Sequence, residues 1–212
     1  MKIFCTGLGL LLILFSGWLA LTVAAVEPVE RNIIYIHVPA AVCSLVCFGV
    51  LFFCSIQYLR KEEQKWDNIA LACGQVGLAF ATLMNLTGMI FARAEWGTFW
   101  TPSPRLISSA ALWFLYAAYL ILRASFPAGR KKEKVSAVFG IIAFADVPLV
   151  IISARFVRDI HRPSFAFDTG WQETALLLAI LGTVFLAAAL IWIRSDILKV
   201  IKSNLEGARD TI

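Results

Sequence analysis

Six long apolar runs constrain the fold of this chain more than any other feature of its sequence. Each is long enough to cross about 30 Å of hydrocarbon as an α-helix, which takes roughly 17–25 apolar residues. Five of the runs contain no charged side chain, and the remaining one, the fifth in chain order, contains Asp146. Together they predict an all-α integral membrane protein in which residues 1–212 form a single six-helix domain with a cytoplasmic tail. The runs cover residues 3–26, 39–59, 69–92, 106–122, 135–154 and 174–193, and the tail covers residues 194–212.

The composition agrees with a membrane protein and narrows the range of functions. The chain is 60% apolar and 16% charged, whereas a soluble domain is about 45–50% apolar and about 25% charged. It contains no phosphate-binding loop, no Gly-x-Gly-x-x-Gly and no His-Glu-x-x-His motif. The net charge of +5 fits basic loops at a membrane surface and does not require nucleic acid. We therefore predict no enzyme and no nucleic-acid partner. All five cysteines lie in apolar runs, where we expect buried packing roles: Cys5, Cys43, Cys47, Cys54 and Cys73.

The basic residues are distributed unevenly among the segments that join the runs. If the N-terminus is cytoplasmic, thirteen of the 19 lysines and arginines fall on the cytoplasmic side. Such an excess is typical of cytoplasmic loops, so both termini are predicted to be cytoplasmic. The first run could instead be a signal peptide, but it exceeds the usual apolar region of about 7–15 residues, which favours a retained helix. The six outer basic residues are all arginines, which can hold carboxylates in two-point contacts: Arg31, Arg93, Arg105, Arg155, Arg158 and Arg162.

A cluster of aromatic residues separates the third and fourth runs. Trp96, Phe99 and Trp100 fall within five positions, and Gly97 lies among them. Two prolines follow within four residues, and proline cannot donate a backbone hydrogen bond. We therefore expect an irregular platform with flat aromatic faces on the outer side. The alternative is an interfacial belt, since tryptophan gathers at membrane boundaries whatever the function.

The chain has two histidines, His37 and His161, and the predicted topology puts both on the same side as this platform. Pro39 suits the first position of the second helix, which would leave His37 on irregular backbone just before a helix N-terminus. The positive end of a helix dipole disfavours an imidazolium, and a neutral imidazole can ligate iron. The alternative is a pair of half-solvated histidines at the membrane boundary with no ligand.

The outer face thus combines axial nitrogens, aromatic faces and arginines. Heme is a flat apolar disc with two anionic propionates and an iron that takes axial ligands, so it matches all three. We predict that His37 and His161 ligate the heme iron and that the aromatic platform holds the ring. Arg105 is the first candidate for a propionate, with Arg93 or Arg155 as alternatives.

Polar and small residues within the runs suggest further roles. Asp146 is followed by Pro148, which predicts a kink. Asp146 either has a structural role, in which it pairs with an outer arginine or ties down the bend, or helps to orient a histidine or the platform. Asn85 and Thr87 favour hydrogen bonds between helices rather than ligation. Gly77 and Ala81 match a packing face of two small residues four apart.

Four segments occur in an order that resembles the cytochrome c maturation protein C (CcmC) family of the heme-handling protein superfamily. The resemblance covers roughly residues 30 to 195. The segments are Tyr35-Ile36-His37-Val38-Pro39-Ala40-Ala41, then Trp96-Gly97-Thr98-Phe99-Trp100 with Arg105-Leu106, then Phe144-Ala145-Asp146-Val147-Pro148, and His161 with Pro163.

The resemblance implies a six-helix protein of the bacterial inner membrane with its heme b site facing the periplasm. It places His37 and His161 at the family's axial positions, and Trp96, Gly97 and Trp100 at the start of its tryptophan-rich motif. It also implies partners: the heme chaperone CcmE, the ATP-binding cassette subunits CcmA and CcmB, and the small membrane protein CcmD.

The chain departs from the family motif at one place, and this keeps other functions open. Pro102 and Ser103 stand where the family has a third tryptophan and an aspartate, which affects chaperone docking and heme presentation. One alternative is a b-type membrane cytochrome or quinone-linked electron-transfer subunit with a fixed heme. Another is a membrane subunit that has lost its heme.

Overall fold

The computed structural model describes residues 2–26, 29–156 and 169–210. Within these ranges the chain forms seven α-helices and one short 3₁₀ helix, Val29–Ile33, and no strand. The helices are α1 (Lys2–Thr22), α2 (Ile34–Lys61), α3 (Gln64–Trp96), α4 (Pro104–Ser125), α5 (Arg130–Ala143), α6 (Asp146–Phe156) and α7 (Gly170–Asp210).

Six segments are long and apolar enough to cross a membrane, with α5 and α6 together forming the fifth. The prediction of an all-α fold with six spans is therefore confirmed. The helices extend beyond the apolar runs at several ends because hydropathy marks contact with lipid and not the end of backbone hydrogen bonding. The largest such extension is that of α7, which continues from the apolar run to Asp210. At the start of α3, polar residues join the helix, which begins at Gln64 instead of Ile69.

Consecutive spans run in opposite directions and give the bundle two ends. At the end that we call the histidine end, α2 begins, α3 ends and α4 begins. Here Ser16 of α1 donates a 2.7 Å hydrogen bond to the carbonyl of Ala175 in α7. At the opposite end, which we call the basic end, Lys2 of α1 pairs with Asp196 of α7. The two ends match the two sides predicted from the basic residues.

Small residues and cysteines let the central helices approach closely. A Cβ at Gly77 would come within 2.7 Å of the Phe48 ring and 2.9 Å of Cys47 Cβ, so α3 meets α2 where the small-residue face was predicted. The Phe48 ring stacks on Tyr116 of α4 with centroids 3.5 Å apart. The expected burial of the cysteines is confirmed for four, while Cys5 is only half-buried.

The fifth span is broken in the middle, as Pro148 predicted. Helix α5 ends at Ala143, two residues form a turn, and α6 begins at Asp146. Pro148 cannot donate to the carbonyl of Phe144, and that carbonyl accepts from Val147 N at 3.0 Å instead. The break therefore places Asp146 at the first position of a helix rather than in the middle of one. At that position its carboxylate is favoured by the positive end of the helix dipole.

The basic end is held by a buried polar cluster that the sequence interpretation missed. Asp67 accepts two hydrogen bonds from the guanidinium of Arg123, at 2.7 and 2.5 Å, and both side chains are at least nine-tenths buried. Tyr58 donates to Glu133 at 2.6 Å, and Glu133 also pairs with Lys202 of α7 at 3.2 Å. The first pair joins α3 to α4, and the second set of contacts joins α2, α5 and α7 at the same end of the bundle.

Candidate functional site

His37 lies inside α2, one turn from its start. The expectation that it stands on irregular backbone ahead of the helix is wrong, because Val29–Ile33 forms a 3₁₀ helix that leads directly into α2. Pro39 is the sixth residue of α2 and not the first. His37 remains close to the positive end of the helix dipole, so the electrostatic argument for a neutral imidazole still applies.

The imidazole of His37 packs against α3. Its Nδ1 lies 3.1 Å from Oγ1 of Thr87, which confirms that Thr87 makes a hydrogen bond between helices. Gly88 lies beside the ring, and a Cβ at that position would come within 3.1 Å of His37 Cε1. Asn85, for which the same role was expected, donates to the carbonyl of Ala81 in its own helix at 3.0 Å.

The aromatic platform begins at the end of α3. The helix continues through Trp96, so the irregular segment is shorter than predicted and starts at Gly97. Gly97 adopts φ = 76°, the left-handed conformation that ends helices and favours glycine, and its N–H donates to the carbonyl of Arg93 at 3.1 Å. The half-buried Trp96 ring meets Phe91 edge to face, with centroids 6.0 Å apart.

The rest of the platform is open. Phe99 is 55% exposed and Trp100 is 46% exposed, so both rings are accessible from outside the bundle. Arg93 lies with its guanidinium 5.8 Å from the Phe99 ring centroid and also donates to the carbonyl of Gly97. Arg93 therefore supports the platform from the end of α3.

Pro102 and Ser103, which the resemblance predicts to differ from the family motif, lead into α4. Pro104 was expected to prevent a helix, but it occupies the first turn of α4, where its missing N–H is not needed. Ser103 is the N-cap, and its hydroxyl accepts from Leu106 N at 3.4 Å. Serine is a favoured N-cap residue, so Ser103 stabilises the start of α4.

Two further candidate residues lie near this end of the bundle. Arg105 is the second residue of α4 and is half-buried. Asp146 Oδ2 is buried, and among the described residues it has no hydrogen-bond partner. Within that part of the chain, the expected pairing of Asp146 with an outer arginine is not seen.

The structure brings His37 and the platform to the same end of the bundle but at different heights. Gly88, beside His37, precedes Trp96 by eight residues of continuous helix, a separation of roughly 12 Å along α3. The two regions are also joined by an ion pair in which Arg31 lies 3.1 Å from Glu95. His161 lies outside the described residues, as do Arg158, Arg162 and the side chain of Arg155.

Two features of this region were not found from the sequence. Gly88 was overlooked because a glycine in an apolar helix carries no signal of what packs against it. The pairing of Arg31 with Glu95 joins segments that are 64 residues apart, and no local pattern predicts such a contact.

Comparison with known proteins relates the chain to one family along almost its whole length. A family model described as heme exporter protein C matches residues 1–209. The heme exporter protein C of Bradyrhizobium diazoefficiens is 27% identical over 176 residues, which cover 79% of this chain and 67% of the relative. That of Escherichia coli K12 is 26% identical over 167 residues, which cover 77% and 68%.

A plant relative extends the same similarity. A protein of Marchantia polymorpha, named as a ccmC-like mitochondrial protein of cytochrome c biosynthesis, is 26% identical over 186 residues. The match covers 88% of this chain and 77% of the relative. With a family match over residues 1–209 and a six-span helical fold, the chain belongs to the heme exporter protein C family.

Proposed function

We propose that this protein binds heme b at the histidine end of the bundle and presents it to a heme chaperone during cytochrome c biogenesis. His37 and His161 are the axial ligands of the iron, and Trp96, Phe99 and Trp100 hold the ring, with Gly97 setting the turn between them. The observation that carries the proposal is the placement of His37 at the same end as an exposed aromatic platform, in a member of the heme exporter protein C family.

The residues present fit heme as a cargo. An imidazole inside the membrane boundary can supply a neutral nitrogen ligand, and exposed aromatic faces can hold a flat macrocycle that must later leave. Arg105 lies in the first turn of α4, where the helix dipole also favours an anion. We therefore propose Arg105 as a propionate contact, while Arg93 acts on the platform through Phe99.

The surrounding system follows from the family. We propose that the protein lies in the bacterial inner membrane with both termini in the cytoplasm and the histidine end facing the periplasm. The basic end then carries the excess of lysine and arginine, as cytoplasmic loops do. The proposed partners are the chaperone CcmE, the subunits CcmA and CcmB, and CcmD. Reporter enzymes fused after Glu63 and after Thr101 test this orientation, because the first must report the cytoplasm and the second the periplasm.

Heme ligation is tested with purified protein from heme-replete membranes. We expect His37→Ala and His161→Ala each to change the heme absorption spectrum and to lower heme occupancy. Trp100→Ala should lower occupancy without changing the axial ligands. Trp171→Ala is a matched control, because this tryptophan is also exposed at the histidine end but lies outside the platform. Unchanged spectra for both histidine variants would show that the proposed ligands are wrong.

One observation favours a second candidate, a membrane electron-transfer subunit with a fixed heme. His37 lies within a span rather than on a loop, as the ligands of b-type cytochromes do. A redox titration separates the two functions. Rapid, reversible reduction and oxidation with a quinone would favour electron transfer, whereas transfer of heme to CcmE without such cycling would favour heme handling.

A further inference from the structure

The hydroxyl of Thr87 makes three close polar contacts, and together they determine where its hydrogen points. Oγ1 lies 2.7 Å from the carbonyl oxygen of Leu83 and 3.0 Å from that of Met84. It also lies 3.1 Å from Nδ1 of His37. Thr87 itself is 7% exposed, so water does not compete freely for these positions.

Carbonyl oxygens only accept hydrogen bonds. If the Thr87 hydrogen pointed at His37, Oγ1 would face two carbonyl oxygens at 2.7 and 3.0 Å with no hydrogen between them. The favourable arrangement directs the hydrogen towards the helix carbonyls and leaves a lone pair of Oγ1 for the imidazole. His37 must then donate from Nδ1, and in the neutral imidazole Nε2 is therefore the nitrogen without a hydrogen.

A neighbouring threonine shows the same arrangement with a partner whose hydrogen is not in question. Thr82, also on α3, donates to the carbonyl of Leu78 at 2.8 Å. Its Oγ1 accepts from Nε1 of Trp113 at 2.8 Å, and the indole nitrogen can only donate. A threonine that bonds back to its own helix therefore accepts a ring N–H from the next helix in this bundle.

Gly88 sets the distance at which the imidazole lies. A Cβ there would come within 3.1 Å of His37 Cε1 and 3.6 Å of Nδ1. The first distance is shorter than an ordinary van der Waals contact, so a side chain at position 88 would require the ring to shift by a few tenths of an ångström. Glycine allows the ring to approach closely enough for the 3.1 Å contact.

We propose that Thr87 and Gly88 are positioning residues that hold His37 as its Nδ1–H tautomer and aim Nε2 at the heme iron. This inference rests on the proposed role of His37 as an axial ligand. A hydrogen bond to the second ring nitrogen fixes the orientation of a metal-binding histidine and increases its basicity. In other metalloproteins, loss of the residue that makes this hydrogen bond lowers metal affinity by roughly 10–100-fold.

The tautomer is measured without heme. Two-bond ¹⁵N–¹H NMR spectra of protein labelled only at histidine report which ring nitrogen carries the hydrogen, and His161→Gln assigns the His37 signals. We expect a single Nδ1–H form in the wild type and in Thr87→Ser, which keeps the hydroxyl. In Thr87→Val we expect a mixture of tautomers. A wild-type spectrum showing Nε2–H, or an unchanged spectrum in Thr87→Val, would overturn the proposal.

Heme binding supplies the second measurement. Titration of the purified protein with hemin should give roughly 10–100-fold weaker binding for Thr87→Val and a smaller loss for Gly88→Ala, with Thr87→Ser close to wild type. Thr82→Val is the matched control, because it removes an equivalent hydrogen bond between helices of the same bundle without touching His37. Its heme affinity should not change.

The outcomes separate this inference from the function on which it rests. Equal losses in Thr87→Val and Thr82→Val would mean that Thr87 acts only on stability and would refute its positioning role. A changed tautomer with unchanged heme affinity would refute it as well, while loss of heme in His37→Ala would still support the proposed ligand. If His37→Ala binds heme as the wild type does, the proposed function and this inference both fail.

Discussion

Removing the arginine from the buried ion pair at the basic end should destabilise the bundle strongly. In Arg123→Met the long apolar stem is retained, but Asp67 loses both of its guanidinium hydrogen bonds, at 2.7 and 2.5 Å. The Asp67 side chain is 3% exposed, and its remaining hydrogen bond comes from the neutral amide of Gln64 at 3.0 Å. Removing one partner of a buried pair costs about 3–5 kcal/mol, because a charge is left uncompensated.

The assay is unfolding in lipid bicelles by steric trapping, which reports the free energy of unfolding in a membrane-like medium. Arg123→Met should lower that free energy by about 3–5 kcal/mol, whereas replacing both partners, in Asp67→Leu with Arg123→Met, should recover much of the loss. The control is Glu62→Gln. Glu62 pairs with Lys134 at 2.6 Å at the same end, and the lysine lowers the pKa of this exposed carboxyl.

Solvent screens the pair between Glu62 and Lys134, so the Glu62→Gln control should leave the unfolding free energy unchanged within error. If Arg123→Met and Glu62→Gln behaved alike, burial would not determine the strength of these pairs, and the reasoning would be refuted. A double variant less stable than Arg123→Met alone would contradict the argument from an uncompensated charge.

Two further predictions concern the packing and the loop. Gly77→Ala should destabilise the bundle by about 1–3 kcal/mol, because the new Cβ would come within 2.7 Å of the Phe48 ring. The control is Gly17→Ala, whose Cβ would meet nothing within 4 Å and should not change the stability. Equal effects of the two substitutions in the same unfolding assay would contradict the packing account. Ser103→Ala should lower the stability of α4 by about 0.5–2 kcal/mol through loss of its N-cap, whereas Ser103→Asp should retain that stability. Hydrogen exchange at the start of α4 measures both variants. Equal protection in the two would show that the cap contributes nothing.

The spans and the break in the fifth span could be predicted because they depend on local properties of the chain. An apolar run has the length of the bilayer, and Pro148 cannot donate to the carbonyl four residues earlier wherever it lies. The start of α3 could not be found in this way. Asp67 reads as a polar loop residue in the sequence. Its buried partner, Arg123, lies 56 residues away on another helix, and no local pattern predicts that contact.

The candidate site was predictable in residue types but not in geometry. A histidine and an aromatic cluster were expected on one side, and the structure places His37 and Trp96 at one end of the bundle. Proline before a helical run suggested that the helix starts at Pro39, but a preceding 3₁₀ helix moves the start to Ile34 and draws His37 into α2. The contact of His37 with Thr87 joins residues 50 positions apart, and such pairings depend on how the helices pack.

Chemical rescue of His37→Gly by imidazole tests most directly whether His37 ligates heme. The variant removes the ring and leaves a space beside Gly88 and Thr87 that free imidazole can enter. We predict that the purified variant has low heme occupancy and an altered absorption spectrum, and that added imidazole restores both, whereas the Trp171→Ala control does not respond to imidazole. A His37→Gly protein with the spectrum and heme occupancy of the wild type, before any imidazole is added, would contradict the account.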